Sequence, residues 1–447
     1  MLDQSFSAKN FRKIFDYENR KGNNLAGKFF PEVNEVVLEI KKISEEIRNH
    51  RKSKASSSSE EYQEKKQELY EHKENLKKKK EDRLSVELNN ISSLITEKKF
   101  SLKLKEIDIG QSKKAYGFEK SAESYFALKQ IQHNLRKLYK IKQGNRHNIV
   151  CQLRETLADK LPKHVIRTDI SNFYESIPRD KILKELYDDP LLTLTSKKII
   201  RGILHEYEKI SDTNVGLPRG IGISAYLSEL YLREFDEKIL KCPQVLFYAR
   251  FVDDIIIVCT ADQVNILRKL AFVKKSLKDI DLNLNKEKTD HKTLNGRTQK
   301  SIEYLGYHFL FGRGQVKIAL AKSKIEKYKK RIKLSFDDYN KTVKSPNKKS
   351  ESLLKKRVRF LTGNTRLVNN KKNALVGIYF TYNLITDISC LDGLDRYLEN
   401  KINCLGNEKF KRILSELTFK SGFQKKRFHK FSTNDFRDIV RVWKYAA

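Results

Sequence analysis

The sequence predicts an α+β protein: a small sheet with acidic side chains gathered at one end, enclosed by charged helices. Three observations lead there. Residues 248–258 are two apolar, β-prone runs around Asp253-Asp254, the pattern of a hairpin with carboxylates at its turn. Residues 164–169 read as a strand that ends in a third carboxylate, Asp169. Between residues 41 and 80, 21 of 40 side chains are charged and neither Pro nor Gly occurs, which predicts helix.

At 447 residues the chain has room for about two to four domains. Hydrophobic residues make up 39%, enough for a core because Phe (24) and Tyr (20) are plentiful. Lys and Arg total 92 against 57 acids, a formal charge of +35. Such an excess repels itself unless a polyanion offsets it, so nucleic acid is the expected partner, ahead of a membrane surface. No apolar run is long enough to span a bilayer, and the N-terminus lacks the apolar region of a signal peptide, so no membrane association is expected. Cys151, Cys242, Cys259, Cys390 and Cys404 are widely spaced, odd in number and mostly within apolar segments. They predict reduced core residues in a cytoplasmic protein. The nine histidines never fall at zinc-ligand spacing, which argues against structural zinc.

Residues 1–33 carry Phe6, Phe11, Phe15, Tyr17, Phe29 and Phe30 among basic residues, an arm that either docks on the body or contacts nucleic acid. Residues 34–100 read as two long helices joined at Ser56-Ser57-Ser58-Ser59, a projecting antiparallel hairpin; the competing reading is a solvated, partly disordered segment. Residues 128–138 predict a helix, and 139–150 a basic hairpin with Gly144-Asn145 near its tip. After the strand at 164–169, Pro178 opens a helix at 179–187, and 196–210 form another.

The stretch Gly216-Leu217-Pro218-Arg219-Gly220-Ile221-Gly222-Ile223 is a glycine-punctuated loop, with Ser224 as N-cap of a helix that aligns Leu227, Leu230, Tyr231, Phe235 and Ile239. It is not a dinucleotide fingerprint, because residues 207–215 before it are polar and do not form a buried strand. A helix follows across 262–278. Beyond Ala321 the chain turns helical and basic, with Ile325, Tyr328, Ile332, Phe336 and Tyr339 as an apolar stripe. The final 37 residues hold ten Lys or Arg against three acids, interleaved with Phe423, Phe428, Phe431, Phe436, Trp443 and Tyr445. These rings either stack bases or form the core of a small helical domain.

If the two strand regions are neighbours, Asp169 and Asp253-Asp254 converge at one sheet edge. Three clustered carboxylates repel strongly unless divalent cations neutralise them. Two such ions stabilise both the attacking and the leaving oxygen of an in-line phosphoryl displacement. The set suits nucleotidyl transfer; the competing reading is a structural ion cluster.

The series Asp169-Ile170-Ser171-Asn172-Phe173-Tyr174, Gly216-Leu217-Pro218-Arg219-Gly220 and Phe251-Val252-Asp253-Asp254 resembles reverse transcriptases. Leu284-Asn285 with Lys288-Thr289 resembles their fourth palm motif, and Leu305-Gly306-Tyr307 their primer-grip turn. These five motifs cover residues 139–310. Phe251 stands where Tyr is usual and Arg219 where many relatives carry Gln, variants that resemble the bacterial branch of retron, abortive-infection and defence-associated enzymes. The charged N-terminal insertion and an all-helical basic C-terminal region resemble the defence-associated types, some of which work with a non-coding RNA and a second reverse transcriptase.

The resemblance implies a right-hand polymerase: an arm at 1–33, a charged helical hairpin at 34–110, fingers at 111–163, an antiparallel-sheet palm at 164–310 and a basic helical thumb at 311–447. It implies RNA-directed DNA synthesis with two Mg²⁺ ions, or Mn²⁺ in their place, from deoxynucleoside triphosphates on a structured non-coding RNA template. Asp169, Asp253 and Asp254 would be the catalytic metal ligands, joined by the carbonyl of Ile170. Tyr174 would be the steric gate under the sugar, and Arg219 and Gly220 would line the templating pocket. Lys140, Lys142 and Arg146 would be candidates for clamping the triphosphate. Lys288 would donate a proton to the leaving pyrophosphate, while Asn285 holds its turn. Phe251, Leu305, Gly306 and Tyr307 would support the primer end. A second reverse transcriptase subunit or self-assembly is the implied protein partner. Untemplated or protein-primed synthesis, and a non-catalytic RNA-binding module, are the alternatives.

Overall fold

The computed structural model describes residues 2–52, 59–108, 114–159, 161–261, 265–295, 299–312, 315–342, 348–367 and 373–443. Helix α1 (Ala8–Arg20) and the short α2 (Leu25–Phe29) fold onto the body, because Phe6, Phe11, Phe15 and Phe30 bury their rings there. Phe11 and Phe30 meet Phe126 at centroid distances of 5.4 and 6.1 Å, so the arm docks. Helices α3 (Pro31–Lys52) and α4 (Ser59–Thr96) form the antiparallel hairpin, with His50 stacked on Tyr62 near one end and Arg83 bonded to the Glu32 carbonyl near the other. Val36, Ile43, Ile47, Leu69 and Leu76 give the outer part its own small core, while Leu84, Leu88, Ile91 and Ile95 root it in the main one. Residues 56–58 of the serine joint lie outside the described residues.

Strands β1 (Leu104–Ile107) and β2 (Ala115–Phe118) form a ribbon, followed by α5 (Ala122–Leu138) and α6 (Arg146–Ala158). The hairpin expected at 139–150 does not form. The Asn145 side chain accepts from the N–H groups of His147 and Asn148 at 3.0 and 3.2 Å, so it caps α6 and leaves no hairpin tip.

The central sheet is built from β3 (Lys163–Asp169), β4 (Val245–Phe251), β5 (Asp254–Thr260) and β6 (Asp290–Leu294). Their order is β4-β5-β3-β6 and every pair is antiparallel. Between β3 and β4 lie α7 (Phe173–Ser176), α8 (Arg179–Asp188), α9 (Leu194–Ser211), α10 (Gly222–Tyr231) and α11 (Arg233–Leu240). Helix α12 (Ile266–Lys278) joins β5 to β6. Residues alternate across a strand, and both faces of this sheet are covered. Ile166, Ile255 and Ile257 enter the core shared with α1, α5 and α8 to α11, whereas Val165, Ile256 and Val258 enter a second core with α6 and the C-terminal half. That double burial explains why β5 is a continuous apolar run.

The helix expected after Ser224 is in fact two, broken at Leu232, and Ser224 is not its cap. Helix α10 starts at Gly222, and the buried Ser224 hydroxyl donates to the Pro218 carbonyl at 2.7 Å.

A second sheet, β7 (Lys300–Tyr304), β8 (Tyr307–Gly312) and β9 (Gln315–Leu320), leads into α13 (Lys322–Thr342) and α14 (Lys348–Thr362). A small ribbon of β10 (Asn364–Arg366) and β11 (Leu375–Gly377) precedes α15 (Ile378–Tyr382), α16 (Asp392–Asn403), α17 (Glu408–Ser415), α18 (Phe419–Gln424) and α19 (Thr433–Val440). The region after 311 is therefore not all helical, because the β-prone residues of β9 continue the sheet. The terminal aromatics form core: Phe360 packs on Phe431, Phe436 and Trp443, whose Nε1 donates to the Arg331 carbonyl and the Ser335 hydroxyl. Phe428 is 43% exposed, and Tyr445 lies outside the described residues. Among the described residues no helix is long and apolar enough to cross a membrane.

Candidate active site

The register of the central sheet sets Asp169, the last residue of β3, directly opposite Asp254, the first of β5. The N–H of Ile170 donates to the Asp253 carbonyl at 3.3 Å, which fixes the end of β3 against the hairpin turn. All three carboxylates thus share one sheet end. At the turn itself, Val252 adopts φ +63°. A β-branched side chain in that region is strained, and such strain persists only where the surroundings over-determine it.

The restraint is a buried arginine that is not among the expected site residues. Arg250 donates from Nη1 to the Val252 carbonyl at 3.0 Å. The same guanidinium binds Glu229 at 2.7 Å and Asp236 at 2.6 Å, and the Tyr248 hydroxyl also reaches Asp236. Its side chain is 4% exposed. The two carboxylates hold its proton well above the usual arginine range despite burial. An arginine inside an apolar β run must meet acids if it is buried, which is the signal that could have found it. On the other side of the sheet, the buried Tyr304 hydroxyl donates to the Asp254 carbonyl at 3.1 Å.

Burial, followed by the charge of Asp169, raises the Asp253 carboxyl above its ordinary range. Burial also raises Asp254, with Arg167 opposing it and the Asp169 charge adding to it. Arg167 sits 3.5 Å from Asp254, and Lys288 Nζ donates to Asp169 at 2.8 Å. That hydrogen bond raises the Lys288 ammonium. Among the described residues no group of three His, Cys, Asp or Glu side chains stands ready as a metal cage. The donor chemistry nonetheless fits a hard divalent cation: three carboxylates at one sheet end, two of them penalised by burial and by their neighbours' charge.

Tyr174, on α7, is half-buried against Phe173 at 5.1 Å and lies close enough to Asp253 to feel its charge. Its carbonyl accepts from Leu217 at 2.6 Å, and the Gly216 N–H donates to Ile177 at 2.8 Å, so the glycine loop is sewn onto α7. Arg219 forks onto Glu175 at 2.9 and 3.2 Å with its guanidinium over the Tyr174 ring. Gly220 has φ +97°, and a Cβ there would lie 2.9 Å from the Tyr116 carbonyl. Glycine is therefore required where β2 packs on the loop.

Asn285 donates its backbone N–H to the Asp169 carbonyl at 2.7 Å, and its side chain accepts from the N–H of Lys288. The turn at Leu305-Gly306 has positive φ at both positions, +47° and +79°, as a two-residue hairpin with a type I′ turn demands. Leu305 and Gly306 line a cavity of about 500 Å³ together with Phe251, Asp254, Arg167 and Lys324. Tyr307 stacks under Arg146 at 4.9 Å.

Arg146 departs from the expected triphosphate clamp. As the first residue of α6 it is committed to the carbonyls of Leu305 (2.9 Å) and Thr381 (3.2 Å), so it braces the β7–β8 turn. Lys140 and Lys142 are exposed in the connection before α6.

An antiparallel sheet with three acids at one end, a glycine loop docked on α7 and a neighbouring β hairpin define a polymerase palm. Residues 72–309, more than half of the chain, match the family described as reverse transcriptase (RNA-dependent DNA polymerase). The chain belongs to the reverse transcriptase family, the RNA-directed DNA polymerases. Members of that family generally use divalent metal ions. No curated protein matches the chain. Among solved structures it is similar to the apo telomerase of Candida tropicalis, at 13% identity over 77% of this chain and 62% of that one (TM-score 0.38). A form of that telomerase truncated from its C-terminal domain matches at 15% identity over 49% of this chain and 55% of that one (TM-score 0.35). The telomerase of Candida albicans in complex with a fragment of telomeric RNA matches at 13% over 72% and 55% (TM-score 0.32). The chain thus spans between 55% and 62% of these telomerase chains.

Proposed function

We propose that this chain copies an RNA template into DNA by two-metal nucleotidyl transfer, with Asp169, Asp253 and Asp254 as its catalytic carboxylates. The observation that carries the reading is the pairing of Asp169 with Asp254 across β3 and β5, which gathers the acids at one sheet end. Those three residues and the Ile170 carbonyl would hold two divalent ions, Mg²⁺ or Mn²⁺. Bound there, the ions supply the positive charge that stabilises the attacking and leaving oxygens. Tyr174 bars a 2′-hydroxyl. Arg219, held flat by Glu175, and Gly220 line the templating pair. Lys288 gives its proton to the departing pyrophosphate. Phe251 and the Leu305-Gly306-Tyr307 turn support the primer end.

The expected division into fingers (111–163), palm (164–310) and thumb (311–447) belongs to the same proposal. So does a cytoplasmic role in bacterial antiviral defence on a dedicated non-coding RNA, which Phe251, Arg219 and the N-terminal hairpin support by resemblance. The two hairpin helices carry 13 Lys and Arg against 14 Asp and Glu, in a chain of net charge +35. That balance favours a protein partner for the hairpin, a second reverse transcriptase or another copy, over RNA.

The test is incorporation of labelled deoxynucleotides by the purified protein on a primed RNA, with the product sequenced. A copy of the template is the expected result. Asp253→Ala combined with Asp254→Ala should abolish it, and equal incorporation by that double variant would overturn the proposal. A random or homopolymeric product would replace templated by untemplated synthesis.

A further inference from the structure

A groove of about 380 Å³ opens between α1, α5 and the connection before α6, and ends against Tyr226 of α10. Its volume falls in the range of about 300–1,000 Å³ typical of small-ligand pockets. Cations, aromatic rings and amides line it, together with Ile14, Ile141 and His133. Arg136 is exposed at its wall, while Lys21 and Lys129 each sit 3.3 Å from the buried Glu18. Two ammonium groups on one carboxylate leave the floor net positive. The Tyr17 ring is 47% exposed and has Lys21 Nζ 3.5 Å over it, with Tyr226 as a second aromatic. Gln132 and Gln143 add amides that both donate and accept.

The groove also abuts the catalytic region. A Cβ on Gly222 would lie 2.5 Å from Gln132 Nε2, and Gly222 opens α10 two residues after Gly220. Gly144, next to Gln143, packs against the Arg250 carbonyl and the Phe251 ring. Cations for phosphates, the exposed Tyr17 ring with the half-buried Tyr226 for bases, and amides for base edges are the chemistry of single-stranded nucleic-acid binding. An acidic peptide would use the cations alone. We infer that this groove carries the unpaired stretch of the RNA template as it approaches Arg219 and Gly220. The inference rests on the polymerase reading and gives α1, which precedes the matched family region, a part in template handling.

The experiment compares binding of the full chain to an RNA–DNA duplex that is either blunt or extended by a 5′ RNA overhang of roughly six nucleotides, within single-strand site sizes. Fluorescence anisotropy should show the overhang binding roughly tenfold tighter. Tyr17→Ala and Arg136→Gln, both at exposed positions, should each remove most of that gain, and Tyr17→Phe, which keeps the ring, should retain it. An unchanged gain in both variants overturns the inference, as does a loss of blunt-duplex affinity in the same proportion. Primer extension on the same duplexes separates the two readings. Extension by the wild type with the gain intact in both variants removes the groove alone. A gain that the variants lose, without extension by any form, keeps the groove and removes the polymerase reading.

Discussion

Arg250 donates from Nη1 to the Val252 carbonyl at 3.0 Å, so a buried guanidinium holds the strained residue at the tip of the acidic hairpin. Glu229 and Asp236 hold that guanidinium in turn, from the helices just before β4. The geometry of Asp253 and Asp254 is thus set by an ion cluster on the face opposite the second core.

Removing one partner from a buried ion cluster leaves the others uncompensated. Arg250→Met should therefore destabilise the fold by about 3–5 kcal/mol, read from urea denaturation. A loss below about 1 kcal/mol would show that Glu229 and Asp236 find other partners.

Tyr174→Ala should admit ribonucleotides. The preference for deoxynucleotides, measured as the ratio of kcat/KM values, should fall by roughly tenfold or more. An unchanged ratio would remove the gate from this residue.

Lys288 is half-exposed, so its pairing with Asp169 contributes about 0–1 kcal/mol to stability. Its loss should act on the reaction instead. Lys288→Met should slow single-turnover addition by about 10²–10⁴-fold with little change in the denaturation midpoint. A wild-type rate would leave Lys288 as a surface ion pair.

Gly220→Ala places a methyl against the Tyr116 carbonyl at a positive φ. It should cost about 1–3 kcal/mol and weaken template binding by displacing β2 from the glycine loop. Unaltered stability would mean that the ribbon shifts freely.

Much of this site was legible in the sequence because its signals are local. An apolar strand ending in Asp169, an acidic pair between β-prone runs and a glycine-punctuated loop are each written in a few consecutive residues. Residues 139–150 misled for the same reason: Gly-Asn suits a hairpin tip, but Asn145 uses its side chain to cap α6. Arg146 looked available for a triphosphate, yet it answers to carbonyls 159 and 235 residues away.

The sequence by itself determined the order of the motifs, the three carboxylates and the strands and turns that carry them, because strand periodicity and turn chemistry act over a few residues. Only the tertiary structure decided that β3 lies beside β5 with Asp169 opposite Asp254, that Glu229 and Asp236 close on Arg250, and that Phe6, Phe11, Phe15 and Phe30 at one end and Phe423, Phe431 and Trp443 at the other become core. Those outcomes depend on which distant surfaces bury each other. A buried charge or ring settles wherever packing brings it a partner, and chain spacing does not encode that.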